Sequence, residues 1–136
     1  MTFIYGVKIH CVGFSEQNAF YEDDLIAFSW NRFLKSGAKV IIWDIDSKMI
    51  EKAQNDLDNS NLSANIVDVS NYKDVEKCVN EITKSSNIDI LINNAGITGP
   101  TATLWEYDID LWKKVVDINL MGTFNCCRAI VPNMIK

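Results

Sequence analysis

At 136 residues the chain is long enough for one domain with a real hydrophobic core, and 48% hydrophobic with 23% charged residues is ordinary for a globular chain. A formal charge of −5 without any basic cluster argues against a nucleic-acid or anionic-membrane partner. The apolar runs are only a few residues long and the N-terminus lacks a charged start followed by unbroken apolar sequence, so neither a membrane span nor a secretory signal is expected.

In chain order, Phe3, Tyr5, Val7, Ile9 and Cys11 alternate, which predicts a strand from Phe3 to Val12. The stretch from Ser15 to Asp24 is polar, acidic and aromatic and contains no glycine. A helix is expected to begin near Asp23 or Asp24 and to run through Phe28, Phe33 and Leu34 to Ser36, with Gly37 as its stop. Lys39 to Trp43 is short, β-branched and bounded by Gly37 and Asp44, which reads as a buried strand. Asp46 or Ser47 then caps a helix with Met49, Ile50, Ala53 and Leu57 on one face. Asn65-Ile66-Val67 forms a second short strand. Ser70 or Asn71 opens a helix with Val75, Cys78, Val79 and Ile82 inward. Ile88 to Ile92 is a third strand, followed by a loop with Gly96, Gly99 and Pro100. Asp108 caps a long final helix with Leu111, Trp112, Val115, Val116 and Ile118 inward, which Pro132 bends or ends.

Strands alternating with helices imply an α/β fold: a parallel, doubly wound sheet covered on both faces. Such sheets bind ligands at the carboxyl ends of their strands. Chemistry is therefore sought at Asp44, Asp68 and Asn93-Asn94-Ala95-Gly96. A carboxylate at Asp44 can accept hydrogen bonds from the adenosine ribose hydroxyls of a dinucleotide and repel an extra phosphate, or simply sit near a helix N-terminus, where it is favourable anyway. Asp68 can reach an adenine ring, or serve helix entry. The Asn93 and Asn94 amides can tie strand ends together, while Ala95 and Gly96 let a ligand approach the backbone closely. His10 is the single histidine, with nothing around it to build a Ser-His-Asp machine. Cys11, Cys78, Cys126 and Cys127 lack Cys-x-x-Cys spacing, so no metal site is expected, and they read as free thiols in a reducing cytoplasm.

Asn87-Ile88-Asp89-Ile90-Leu91-Ile92-Asn93-Asn94-Ala95-Gly96-Ile97 resembles the signature of the classical short-chain dehydrogenase/reductase family. The run from Trp112 to Phe124 resembles that family's next helix, and Phe33 to Val40 and Val67 to Ser70 match in order and spacing. The resemblance covers about residues 31 to 136, and the stretch Gly96 to Met134 looks closest to reductases of the 3-oxoacyl-carrier-protein type and their sugar-alcohol dehydrogenase relatives. It implies an incomplete Rossmann-like, three-layer α/β/α domain over residues 1–136, atypical over 1–30 and family-like over 31–136. It also implies interconversion of a secondary alcohol and a ketone, on a 3-oxoacyl thioester or sugar-like substrate, by hydride transfer with NAD(P). Asp44 would bind the adenosine ribose and favour NAD over NADP. Asp68 and Val69 would flank the adenine. Asn93, Ala95 and Gly96 would line the cofactor ribose, and Asn119 matches the family's catalytic asparagine. Relatives imply a cytoplasmic homodimer or homotetramer acting on a small alcohol or ketone.

The chain departs from this pattern in two places. The family's Thr-Gly-x-x-x-Gly-x-Gly turn, whose glycines let backbone N–H groups touch a pyrophosphate, should fall near positions 20, 24 and 26, where Phe20, Asp24 and Ile26 stand. The isolated Gly13 reads as an ordinary turn residue. The bulk and the charge at the phosphate position would each cost about a few kcal/mol. The family's Ser and its Tyr-x-x-x-Lys pair belong to segments after the last residue here, and neither Tyr72 nor Tyr107 has a lysine four residues later. The residues thus carry two readings: an oxidoreductase by descent, or a catalytically inactive Rossmann-like fragment that binds a nucleotide or a partner protein. The abrupt change near Trp30 predicts a shifted frame or wrong start upstream. Translation of the surrounding DNA in all three frames should reveal a glycine-rich turn in another frame; if none appears, the shifted-frame explanation fails.

Overall fold

The computed structural model describes residues 7–12 by their backbone and residues 32–135 in full. The expectations for Phe3, Gly13, Phe20, Asp24, Ile26 and the start of the first helix lie outside the described residues, as do the side chains of His10 and Cys11.

Four strands, β1 (Val7–Val12), β2 (Lys39–Asp44), β3 (Leu62–Ile66) and β4 (Ile88–Asn94), form one sheet in the order β3-β2-β1-β4, and every pairing is parallel. A helical turn over residues 32–35 ends at Gly37, whose φ of 78° lies in the left-handed region that glycine adopts freely. Between β2 and β3 runs α1 (Ser47–Leu57), and between β3 and β4 runs α2 (Tyr72–Thr83). After β4 come α3 (Ile109–Val116), a π-helical segment (Asp117–Met121) and α4 (Gly122–Met134).

Local chemistry explains where the helices start. The Asp46 side chain accepts the Lys48 N–H at 2.8 Å, and Asn71 accepts that of Lys73 at 3.1 Å. Asp108 accepts the N–H groups of Asp110 and Leu111, both at 2.9 Å. Each cap satisfies amides that the first helical turn leaves without partners. Pro132 lies two residues before the end of α4, where one lost helical bond matters little.

Alternation along β2 sends its side chains to two cores. Val40 and Ile42 pack with Leu34 and Ile50 on the face covered by α1 and the first helical turn. Ile41 and Trp43 pack with Val67, Val69, Val75, Val79, Ile88, Cys126 and Ile130 on the face covered by α2 and α4. The result is the three-layer α/β/α arrangement that continuous apolar strands require. Among the described residues, Cys78, Cys126 and Cys127 form no disulfide bond. Burial pushes the Cys78 thiol up to about 11, with the Trp43 indole opposing the shift and Glu81 adding to it, so it stays protonated at neutral pH.

Three elements differ from expectation. β3 begins at Leu62 rather than Asn65, because pairing of Val40 with Leu62 through Asp44 with Ile66 sets its extent. The final helix is not continuous but passes through the π segment. Leu111 and Trp112 remain 44% and 50% exposed, so their stripe on α3 is not buried against this sheet.

Ile130 is fully buried on α4. Ile130→Ala should cost about 2–5 kcal/mol in urea unfolding, whereas Ile66→Ala, at a position 62% exposed, should cost less than about 1 kcal/mol. Equal losses would contradict this placement of the core.

Candidate functional site

The strand order reverses beside β1: β2 and β3 lie to one side of it and β4 to the other. That break, at the carboxyl ends of β1 and β4, is where open α/β sheets form a ligand crevice. Because all pairings are parallel, Asp44 at the end of β2, Asp68 and Val69 after β3, and Asn93 to Gly96 at the end of β4 all fall along that same edge.

Asp44 is 4% exposed. Its Oδ1 accepts the Asp46 N–H at 2.8 Å, and its backbone carbonyl accepts the Val67 N–H at 2.9 Å. Its Oδ2 is buried and has no hydrogen-bond partner among the described residues. Burial holds the carboxyl above its ordinary range, the Asp46 carboxylate adds to this, and the Asp46 and Ile45 amides oppose it. A desolvated carboxylate oxygen without a partner carries a penalty that a hydroxyl donor would relieve. The vacancy in its hydrogen bonding fits a ribose diol.

Asp68 is turned toward its own loop. Its Oδ1 accepts both the Ser70 N–H at 2.9 Å and the Ser70 hydroxyl at 2.7 Å. Val69 is buried, with its side chain against Gly122, where an added Cβ would come within 2.7 Å of Val69 Cγ2. The sheet edge is therefore joined to α4 at this point. Asn125 of α4, which the periodicity of the sequence did not single out, donates from Nδ2 to the Val69 carbonyl at 2.9 Å and to the Ser70 carbonyl at 3.2 Å. Its signal was present: an amide in phase with Cys126 and Ile130 on an apolar face.

On the other side of the edge, Asn119 lies within the π segment. Its amide makes a two-way clamp on Ile97, accepting the Ile97 N–H at 2.9 Å and donating to the Ile97 carbonyl at 3.0 Å. The Thr123 hydroxyl donates to the Asn119 carbonyl at 3.1 Å. A Cβ on Gly96 would stand 3.4 Å from Asn119 Oδ1, an ordinary contact distance, so the Asn119 amide lies directly against this glycine. Among the described residues, the Asn93 amide reaches the Cys127 thiol of α4 at 3.4 Å. Ala95 packs against the core beneath.

A pocket of about 410 Å³ lies at the opposite, amino-terminal edge, lined by Lys39, Asn61, Leu62, Ser63, Ile82 and Ser85. It touches none of the residues above. No group of three or more histidine, cysteine or acidic side chains among the described residues is placed to hold a metal ion, and no helix among them is long and apolar enough to cross a membrane.

Comparison with known proteins gives the same picture. The profile described as short chain dehydrogenase matches residues 29–136. The chain is 35% identical over 106 residues to a 2-dehydro-3-deoxy-L-rhamnonate dehydrogenase (NAD(+)) of Sphingomonas sp. strain SKA58, covering 77% of this chain and 42% of that protein. It is 39% identical over 102 residues to a 3-oxoacyl-[acyl-carrier-protein] reductase of Rickettsia typhi, covering 75% and 40%. The crystal structure of gox2181 superposes with a TM-score of 0.78 at 29% identity, over 96% of this chain and 49% of that one. The chain thus spans about two fifths of the length of these curated relatives.

Because burial raises the Asp44 pKa above its usual 3.8, the folded chain binds that proton more tightly than the unfolded one. The resulting stabilisation is complete at the acid end and is lost as pH rises through the raised value. Asp44→Asn, which cannot titrate, should therefore gain stability relative to the native chain between about pH 4 and pH 7. Paired urea unfolding across that range checks it; a difference that does not change with pH would contradict the buried carboxylate.

Proposed function

The chain belongs to the short-chain dehydrogenase family, and from that footing we propose that it supplies the NAD(P)-binding part of an oxidoreductase interconverting a secondary alcohol and a ketone. One observation carries the reading: a buried carboxylate oxygen, Asp44 Oδ2, without a partner among the described residues, at the carboxyl end of a strand beside the break in strand order. In this reading residues 1–136 form a single domain. Asp44 accepts the adenosine ribose hydroxyls, and its charge opposes the additional phosphate of NADP, so NAD is the preferred dinucleotide. Asp68 and Val69 flank the adenine, Asn93, Ala95 and Gly96 line the second ribose, and Asn119 holds the Gly96-Ile97 backbone beside the reacting end. When bound, the nicotinamide supplies the hydride acceptor or donor.

The substrate class is a small alcohol or ketone, either a 3-oxoacyl thioester or a sugar-like acid. Support comes from the relatives, which include an NAD(+)-dependent sugar-acid dehydrogenase and a 3-oxoacyl reductase. A cytoplasmic homodimer or homotetramer belongs to the same proposal.

Thermal and chemical unfolding in the presence of NADH provides the test. Saturating NADH should stabilise the chain by about 2 kcal/mol or more. NADPH should bind at least about tenfold more weakly, and Asp44→Ala should lose about tenfold in NADH affinity, the worth of a hydrogen bond to a charged group. An unfolding curve that does not move with NADH would instead favour an inactive, partner-binding Rossmann-like protein.

A further inference from the structure

The turn after β3 is largely closed on itself. Ser70 gives both its N–H and its hydroxyl to Asp68, and the Asn71 N–H returns to the Asp68 carbonyl at 3.0 Å. Such a turn keeps its own shape but needs an outside contact to fix its height and angle over the sheet edge. Asn125 provides that contact. It is 6% exposed on the inner face of α4, and its single Nδ2 group serves two successive carbonyls, those of Val69 and Ser70. Gly122, one helical turn earlier, adds a contact from below, because the missing Cβ lets Val69 rest against the helix.

We propose that Asn125 is a positioning residue: through the Val69 and Ser70 carbonyls it sets the adenine-facing turn Asp68–Ser70 of the dinucleotide site. The idea rests on the reading of that site given above. It also follows from the geometry that one helical run, from the π segment into α4, holds both flanks of the site. Asn119 clamps Ile97 on the β4 side, and Asn125, six residues on, clamps Val69 and Ser70 on the β3 side. At about 1.5 Å per residue the two clamps lie roughly 9 Å apart along the helix, the scale of a nucleoside. A packing residue at this position would need only to be apolar. An amide with its donor on two turn carbonyls is required only if the position of the turn matters.

The test uses Asn125→Leu, which keeps the branching at Cγ and removes the donor, and Ile130→Val, which weakens the same helix without touching the turn. Hydrogen exchange in the native chain should rise about tenfold or more at residues 68–71 in Asn125→Leu, and not in Ile130→Val. Affinity for AMP and for NADH should fall together by about tenfold in Asn125→Leu and by less than about twofold in Ile130→Val. Asn125→Ser, a shorter arm with one donor, covers the case in which the leucine variant does not fold, and it should show a smaller loss in the same direction. Exchange at 68–71 that matches Ile130→Val, or unchanged AMP affinity, would overturn the proposal. If the native chain binds neither AMP nor NADH, the dinucleotide reading falls, and exchange alone still decides whether Asn125 holds the turn.

Discussion

Parallel strands cannot be joined by a tight turn, because each must re-enter the sheet at the end where its neighbour began. Every return therefore needs a crossover long enough to carry a helix, and every strand then delivers its carboxyl end to the same edge. In this chain that constraint gathers Asp44, Asp68 and the Asn93 to Gly96 turn, though they are scattered over some fifty residues of sequence. It also forces apolar residues onto both faces of β2, since helices cover each side. Two separate cores, one around Ile42 and one around Trp43, are its direct product.

The edge created in this way is polar, and its polar groups are treated unequally. Most are satisfied within a few residues: Asp46 by Lys48, Asp68 by Ser70, Asn71 by Lys73. Two amides reach across the fold, Asn119 to Ile97 and Asn125 to Val69 and Ser70. One carboxylate oxygen, on Asp44, has no hydrogen-bond partner among the described residues. Leaving a buried acceptor open is unfavourable for folding, so this oxygen gains from any donor that reaches it.

Local signals carried much of this in the sequence. The caps at Asp46, Asn71 and Asp108 were readable because capping depends on one side chain and two nearby amides. β2 was readable from its run of β-branched residues. The start of β3 was not, because Leu62, Ser63 and Ala64 have little strand preference of their own, and pairing with β2 extends the strand to them. Periodicity correctly put Ile118 on the core side, but it could not say that Leu111 and Trp112 stay half exposed, with the Tyr107 ring edge-on to that of Trp112. The candidate site divides in the same way. Its strand-end residues follow from where strands stop. The contacts of Asn125 with Ser70 and of Cys127 with Asn93 join positions far apart in sequence, and no local pattern announces the partner.

The π segment gives this helix a property of its own. In the segment Gly122 N–H bonds to the Asp117 carbonyl, five residues back, so the turn holds one residue more than an α-turn. At about 100° per residue, that extra residue would turn everything downstream out of phase in an unbroken α-helix, and the wider turn absorbs it locally. Were Asp117–Met121 to close into α-turns with its sequence unchanged, α4 would rotate as a unit and each inward position would pass to the residue before it. Phe124 would face the Val69 carbonyl in place of Asn125, and Ala129 would take the place of Ile130 in the core. The wide turn over Asp117–Met121 thus acts as a phase setting between two halves of one rod.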